Sequence, residues 1–144
     1  MRAALDSSIL IAALIDAERH HVECGELLDQ PSTHIYAHAL SEVYSILTGG
    51  RLGFRLSAEI AIRLLEQSVL PNVEVITLSA RELIAGLNEA PGRGVRGAAI
   101  YDYLHLVAAR KAKASRIYTL NASNFQSFHR AGDPEVSLPV RQDG

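Results

Sequence analysis

Ala3-Ala4-Leu5-Asp6-Ser7-Ser8-Ile9-Leu10-Ile11-Ala12 joins a short apolar run to an acid, two hydroxyls and a second apolar run. Three apolar residues stopped by an acid suit a buried strand, although periodicity alone does not separate them from helix. Ser7 and Ser8 offer N-cap oxygens, so a short helix over Ile9 to Leu14 is expected. A strand that turns at once into a helix is the first half of a crossover unit.

The same alternation recurs along the chain. A helix is predicted from about His20 to Asp29, ending before Pro31, which cannot continue it. Thr33-His34-Ile35-Tyr36-Ala37 is rich in strand formers and leads into a helix over Leu40 to Leu47, closed by Gly49-Gly50. Ser57 starts another helix that stops before Pro71. Val73-Glu74-Val75-Ile76 alternates like a strand, and Ser79-Ala80-Arg81-Glu82 has capping-box spacing. Leu83, Ile84 and Leu87 then form the stripe of that helix. Pro91 to Gly97 reads as loop, and a long helix is expected from about Ala98 to Ala114. Arg116 to Leu120 is a strand candidate, Asn121 to Pro134 a loop with at most one helical turn, and Val136 to Val140 an edge strand that tolerates Pro139. Short strands separated by helices predict a three-layer α/β/α fold around a mostly parallel central sheet of four to five strands.

The whole-chain numbers set the class. The 144 residues are 48% hydrophobic and 21% charged, with 14 Lys plus Arg against 16 Asp plus Glu for a net charge of −2. That balance excludes a polybasic protein and an acidic disordered tail, but not a nucleic-acid partner, because local charge outweighs the sum. The single Cys24 excludes an intramolecular disulfide and a cysteine-based zinc site. No apolar run approaches the ~20 residues of a membrane helix, and Met1 to Asp6 lacks the pattern of a signal peptide. A reduced, soluble, cytoplasmic protein is the economical expectation.

In a parallel sheet, ligands bind beyond the carboxyl ends of the strands, so the acids there demand an explanation. Asp6 ends the first strand where the helix begins; capping that helix is its simplest role. Glu42 lies beside Ile46 at the edge of a stripe made by Ala39, Leu40, Val43, Ile46 and Leu47, where an acid can also snorkel to water. Asp102 sits near the start of the long helix, a place where Asp is tolerated for the dipole alone. Were the three to converge, their repulsion would call for a divalent cation such as Mg²⁺ or Mn²⁺.

Leu5-Asp6-Ser7-Ser8-Ile9-Leu10-Ile11-Ala12 resembles the opening motif of PIN domains. Leu40 to Thr48 resembles their Glu-bearing motif, Ile100 to Ala109 the third, and Tyr118-Thr119-Leu120-Asn121-Ala122-Ser123-Asn124-Phe125 the last. The four occur in order over nearly the whole chain, and its length is similar to the VapC type, the toxin half of a bacterial toxin–antitoxin pair. The resemblance implies one PIN-like domain over residues 1–144 and a Mg²⁺- or Mn²⁺-dependent endoribonuclease. It implies Asp6, Glu42 and Asp102 as metal-holding catalytic residues, an RNA substrate, a cognate antitoxin and a homodimer. Ser8 and Thr119 would orient metal-bound waters, or else cap a helix and pair in the sheet. The family often carries a fourth acid in the last motif; Asn121 and Asn124 stand there, so the site holds one formal charge fewer.

Arg93 and Arg96 flank the glycine-rich loop that leads to Asp102 and are candidates for RNA phosphate, against a solvated loop as the plainer reading. From Pro91 to Pro134 seven basic residues face two acids, although Arg110 to Arg116 also suit a helix C-terminus. No two of the six histidines make a helical i, i+4 pair with an acid nearby, which argues against zinc; His105, one turn from Asp102, reads as a helix-surface residue or as a partner of that acid. Two other classes remain open: a catalytically weakened PIN-like RNA-binding module, motivated by Asn121 and Asn124, and a flavodoxin-like ligand binder, weakened by the lack of a glycine-rich phosphate loop after the first strand.

Overall fold

The computed structural model describes residues 2–139. Five strands, β1 (Ala3–Leu5), β2 (Thr33–Tyr36), β3 (Glu74–Ile76), β4 (Arg116–Tyr118) and β5 (Glu135–Ser137), form one sheet in the order β3-β2-β1-β4-β5. Every pairing is parallel. The first strand lies at the centre, with Leu5 level with Ile35 on one side and Tyr118 on the other. Val140, the last residue of the predicted edge strand, lies outside the described residues.

Side chains alternate across the sheet and so divide the core in two. Leu5 and Ile35 pack with Ile9 and Leu10 of α1 (Ser7–Leu14) and with Val43 and Leu47 of α3 (His38–Gly49). The same layer contains α2 (His21–Leu28) and α4 (Ala58–Leu64). Ala4 and Ile117 point the other way, onto Tyr103, Leu106 and Ala109 of α6 (Ala99–Lys111) and Phe125 of α7 (Ala122–Gln126). The remaining helix, α5 (Ala80–Glu89), packs on α6. The three-layer α/β/α architecture is therefore as the alternation predicts.

Local chemistry explains most boundaries. The capping box is complete: the Ser79 hydroxyl accepts from the Glu82 amide, and the Glu82 carboxylate accepts from the Ser79 amide. Gly50 closes α3 at φ 87°, a left-handed conformation that favours glycine. Asp6 is the N-cap of α1, accepting from the Ser8 and Ile9 amides, so its capping role holds and the hydroxyls of Ser7 and Ser8 do not supply the cap. Three other details differ from expectation. The segment after α4 does not stop before Pro71; it runs on through a π turn and a 3₁₀ turn that takes Pro71 in its first positions, where its missing N–H costs nothing. Ile84 and Leu87 are exposed instead of forming a buried stripe. The reason is Gly86, which sits against Leu104 and Val107 and lets α5 approach α6 on that side. Finally, Pro91 to Gly97 is not an open loop: Ala90–Arg93 is a 3₁₀ turn, and Val95 is buried.

Candidate active site

From β1 the chain builds outward to β2 and β3, then crosses back to place β4 on the other side of β1. The β1–β4 boundary is the topological switch point, where the flanking connections diverge and leave a crevice. Asp6 stands at its mouth, directly after β1 and 2% exposed. Its Oδ1 accepts from the Ser8 hydroxyl at 2.5 Å and from the Ser8 amide at 3.0 Å. The Ser8 hydroxyl in turn accepts from the Leu120 amide at 3.0 Å, tying α1 to the end of β4. Thr119, fully buried, favours the Asp6 carboxylate form and accepts from the Asn121 amide at 2.9 Å. Ser8 thus fixes the carboxylate directly. Burial still dominates, and it holds the Asp6 carboxyl above the usual carboxylate range despite these donors and a nearby His105.

Asp102 enters from the first turn of α6 and Glu42 from the first half of α3. Burial again raises Asp102, and the negative charges of Asp6 and Glu42 raise it further, so the three acids face one another electrostatically. The Asn124 side chain shares a cavity wall with Asp102 and favours its carboxylate form, against the rise. Asn121 caps α7 with no side-chain bond and is exposed.

His105 joins the site although its local sequence does not single it out. It is 2% exposed, not on the helix surface, because that side of α6 presses on the sheet. Its Nε2 lies 2.6 Å from Glu42 Oε1. Burial opposes the charged ring, yet Glu42, Asp6 and Asp102 together outweigh it and lift its pKa. His105 is therefore the basic group set among the acids, and its Nδ1 has no hydrogen-bond partner among the described residues. The available signal was the one-turn spacing from Asp102.

The two arginine candidates separate. Arg93 turns inward, paired with Asp133, donating to the Phe128 carbonyl and covering the Tyr103 ring. Arg96 is exposed. Arg110, Lys111 and Arg116 pair with Glu89, Glu82 and Glu135, so acids from outside the basic stretch neutralise much of it. Two cavities flank the start of α6. One of about 320 Å³ borders Asp102 and Asn124, and one of about 530 Å³ borders Glu42, Arg51 and Tyr101. A third, of about 380 Å³ beside α2, touches none of the sequence-predicted site residues.

Among the described residues, no three His, Cys, Asp or Glu side chains are arranged to hold a metal ion by themselves. Magnesium does not require such a cage: it is commonly held by one or two carboxylates and retained waters. Asp6 and Asp102, mutually repelling and partly dry, have that chemistry.

The family model of the PIN domain matches residues 3–131. The chain belongs to the PIN-domain family. This PIN domain shares its fold with VapC20 of Mycobacterium tuberculosis, a sarcin-ricin-loop-cleaving toxin, at TM-score 0.68 and 16% identity over 92% of this chain and 99% of that one. A DNA-bound VapBC of Salmonella typhimurium gives 0.66 and 17% over 97% and 99%. A toxin–antitoxin complex of Klebsiella pneumoniae gives 0.63 and 20% over 96% and 98%. No curated protein matches the sequence.

Proposed function

We propose that this PIN domain is a VapC-type toxin, an endoribonuclease that hydrolyses RNA phosphodiester bonds with Mg²⁺ or Mn²⁺. The observation that supports the reading is that Asp6, Glu42 and Asp102, from three separate segments, lie near enough for the charges of Asp6 and Glu42 both to raise the Asp102 carboxyl. The fold shared with toxin–antitoxin proteins supports it.

Asp6 and Asp102 would hold the cation, with Glu42 completing the catalytic set. A bound cation would supply Lewis acidity toward the phosphate and lower the pKa of water. The protein's own part is positional. Ser8 and Thr119 lock the Asp6 carboxylate, Asn124 steadies Asp102, and His105 holds Glu42 in one orientation. Glu42, with 23% of its side chain exposed, would accept a proton from an attacking water. Arg96 is the available phosphate contact of the α6 approach. A cognate antitoxin, a homodimer and a cytoplasmic site of action belong to the same reading. Among the described residues no helix is long and apolar enough to cross a membrane.

Purified protein freed of any partner should cleave a mixed RNA pool in Mg²⁺ or Mn²⁺, and Asp6→Ala should not. Equal products from both proteins, or none from wild type, would sink the assignment. The presence of Asn121 and Asn124 in place of a fourth acid favours one alternative, an RNA-binding module with weakened catalysis; wild-type binding without metal-dependent cleavage would select it.

A further inference from the structure

Immediately before Asp102, Tyr101 leaves half of its surface in solvent at the start of α6. It is not a stray exposed ring. The His38 imidazole lies against it with ring centres 5.6 Å apart and planes only 15° from parallel. His38 leans on Tyr36 at 6.1 Å, and Tyr36 meets the edge of His105 at 5.6 Å. Four rings therefore run from solvent to the histidine that grips Glu42. Tyr44 and Phe54 are also exposed, but neither has a stacked partner among the described residues.

The exposed end of this series borders the cavity of about 530 Å³, a volume within the range of small-ligand sites. Its wall also carries Glu42, Arg51 and the hydroxyls of Ser41 and Ser45, one turn apart on α3. A half-exposed aromatic face, a cation, two hydroxyls and a candidate catalytic carboxylate around one cavity match a particular ligand chemistry. Unpaired nucleobases stack on Tyr and His rings, expose edges to small polar groups and bring a phosphate with them.

We propose that Tyr101, backed by His38, is a stacking platform that seats one unpaired base of a single-stranded RNA beside Glu42. The inference rests on the RNA-cleaving reading above and adds to it a base subsite. Stacking would place the adjoining phosphate over the acid cluster, with Arg51 at its far side. Because every base has a π face, the platform itself tolerates any base, and selectivity would come from Ser41 and Ser45.

The test uses full-length protein and single-stranded RNA carrying 5-iodouridine, irradiated in EDTA so that the strand stays whole, with the cross-linked residue then mapped. Cross-linking at Tyr101 or His38 is expected. In parallel, the KM for RNA cleavage in Mg²⁺ should rise about ten-fold or more for Tyr101→Leu, with kcat little changed, and return near wild type for Tyr101→Phe, which keeps the ring. Cross-links confined to other residues, or an unchanged KM for Tyr101→Leu, would overturn the platform while leaving the nuclease intact; a ring that serves only a protein partner gives that same result. If wild type neither binds nor cleaves RNA, the nuclease reading falls and the platform falls with it.

Discussion

Asp6 carries two duties with opposite energetic signs. As N-cap it satisfies the Ser8 and Ile9 amides, a contribution of about 1 kcal/mol in typical helices. As a buried anion it is held above the usual carboxylate range, chiefly by desolvation. The folded state then binds the proton more tightly than the unfolded chain. The stability linked to this group is present below the unfolded carboxylate pKa and is lost as pH rises through the higher folded value. Asp6→Asn keeps a capping oxygen and removes the charge, which also relieves Asp102. Without metal at pH 7, the variant should melt a few degrees above wild type, about 1 kcal/mol more stable. The gap should close as pH falls toward 4, and Mg²⁺ should raise the Tm of wild type more than that of the variant. A lower Tm for Asp6→Asn at pH 7 would show that the cap geometry outweighs the charge. Asn124 supplies the complementary case, since its neutral side chain stands beside Asp102 and favours the carboxylate form. Asn124→Asp should lower the metal-free Tm by like-charge repulsion and tighten Mg²⁺ binding measured by calorimetry. Asn121→Asp, at an exposed cap with no side-chain bond, should change both less.

At the scale of elements, α5 separates what pattern can and cannot deliver. Its start was legible because a capping box is local chemistry, and Ser79→Ala should cost about 0.5–2 kcal/mol in denaturant melts. Its buried side was not legible. A stripe of Leu83, Ile84 and Leu87 points to the core by periodicity, but Gly86 makes the contact with α6 and turns Ile84 and Leu87 outward. Ile84→Ala should therefore change stability by less than about 0.5 kcal/mol, whereas Leu106→Ala, in a fully buried position on α6, should cost about 2–5 kcal/mol. Similar costs for the two would contradict the exposed stripe. Strands β1 to β4 were legible for the same reason as the cap: each is a short apolar or β-branched run bounded by turn residues. The site was half legible. Asp6, Glu42 and Asp102 stand out by their places on strand ends and helix faces, but the pairing of Glu42 with His105 spans 63 positions, and nothing local encodes it. Arg93 misleads in the same way, because its partner Asp133 lies 40 residues on.

For the whole molecule, charge is the property that tertiary structure rewrites most. The net −2 and the basic stretch from Pro91 to Pro134 look in sequence like an acidic site beside a cationic track. In the fold, Arg93 and Arg110 are drawn to Asp133 and Glu89, Lys111 to Glu82 and Arg116 to Glu135. Four cations of the track are thereby occupied, and ion pairs of this kind leave little field for a polyanion. Arg96 before α6 and Arg51 in the cavity beside Glu42 are the cations on the approaches to the acids that have no carboxylate partner among the described residues. Counterion release from single-stranded RNA scales with the phosphates neutralised, at about 0.7 per contact. Two contacts predict a slope of log Kobs against log salt of about −1.4, far shallower than a protein reading RNA through a basic groove. Fluorescence anisotropy with a labelled single-stranded RNA, titrated at several salt concentrations in EDTA, measures that slope directly. A value steeper than about −3 would mean that the paired arginines open to the substrate, and Arg93→Gln should then flatten it; with the fold as it stands, Arg96→Gln and Arg51→Gln should each flatten it by about 0.7, and Arg93→Gln should not.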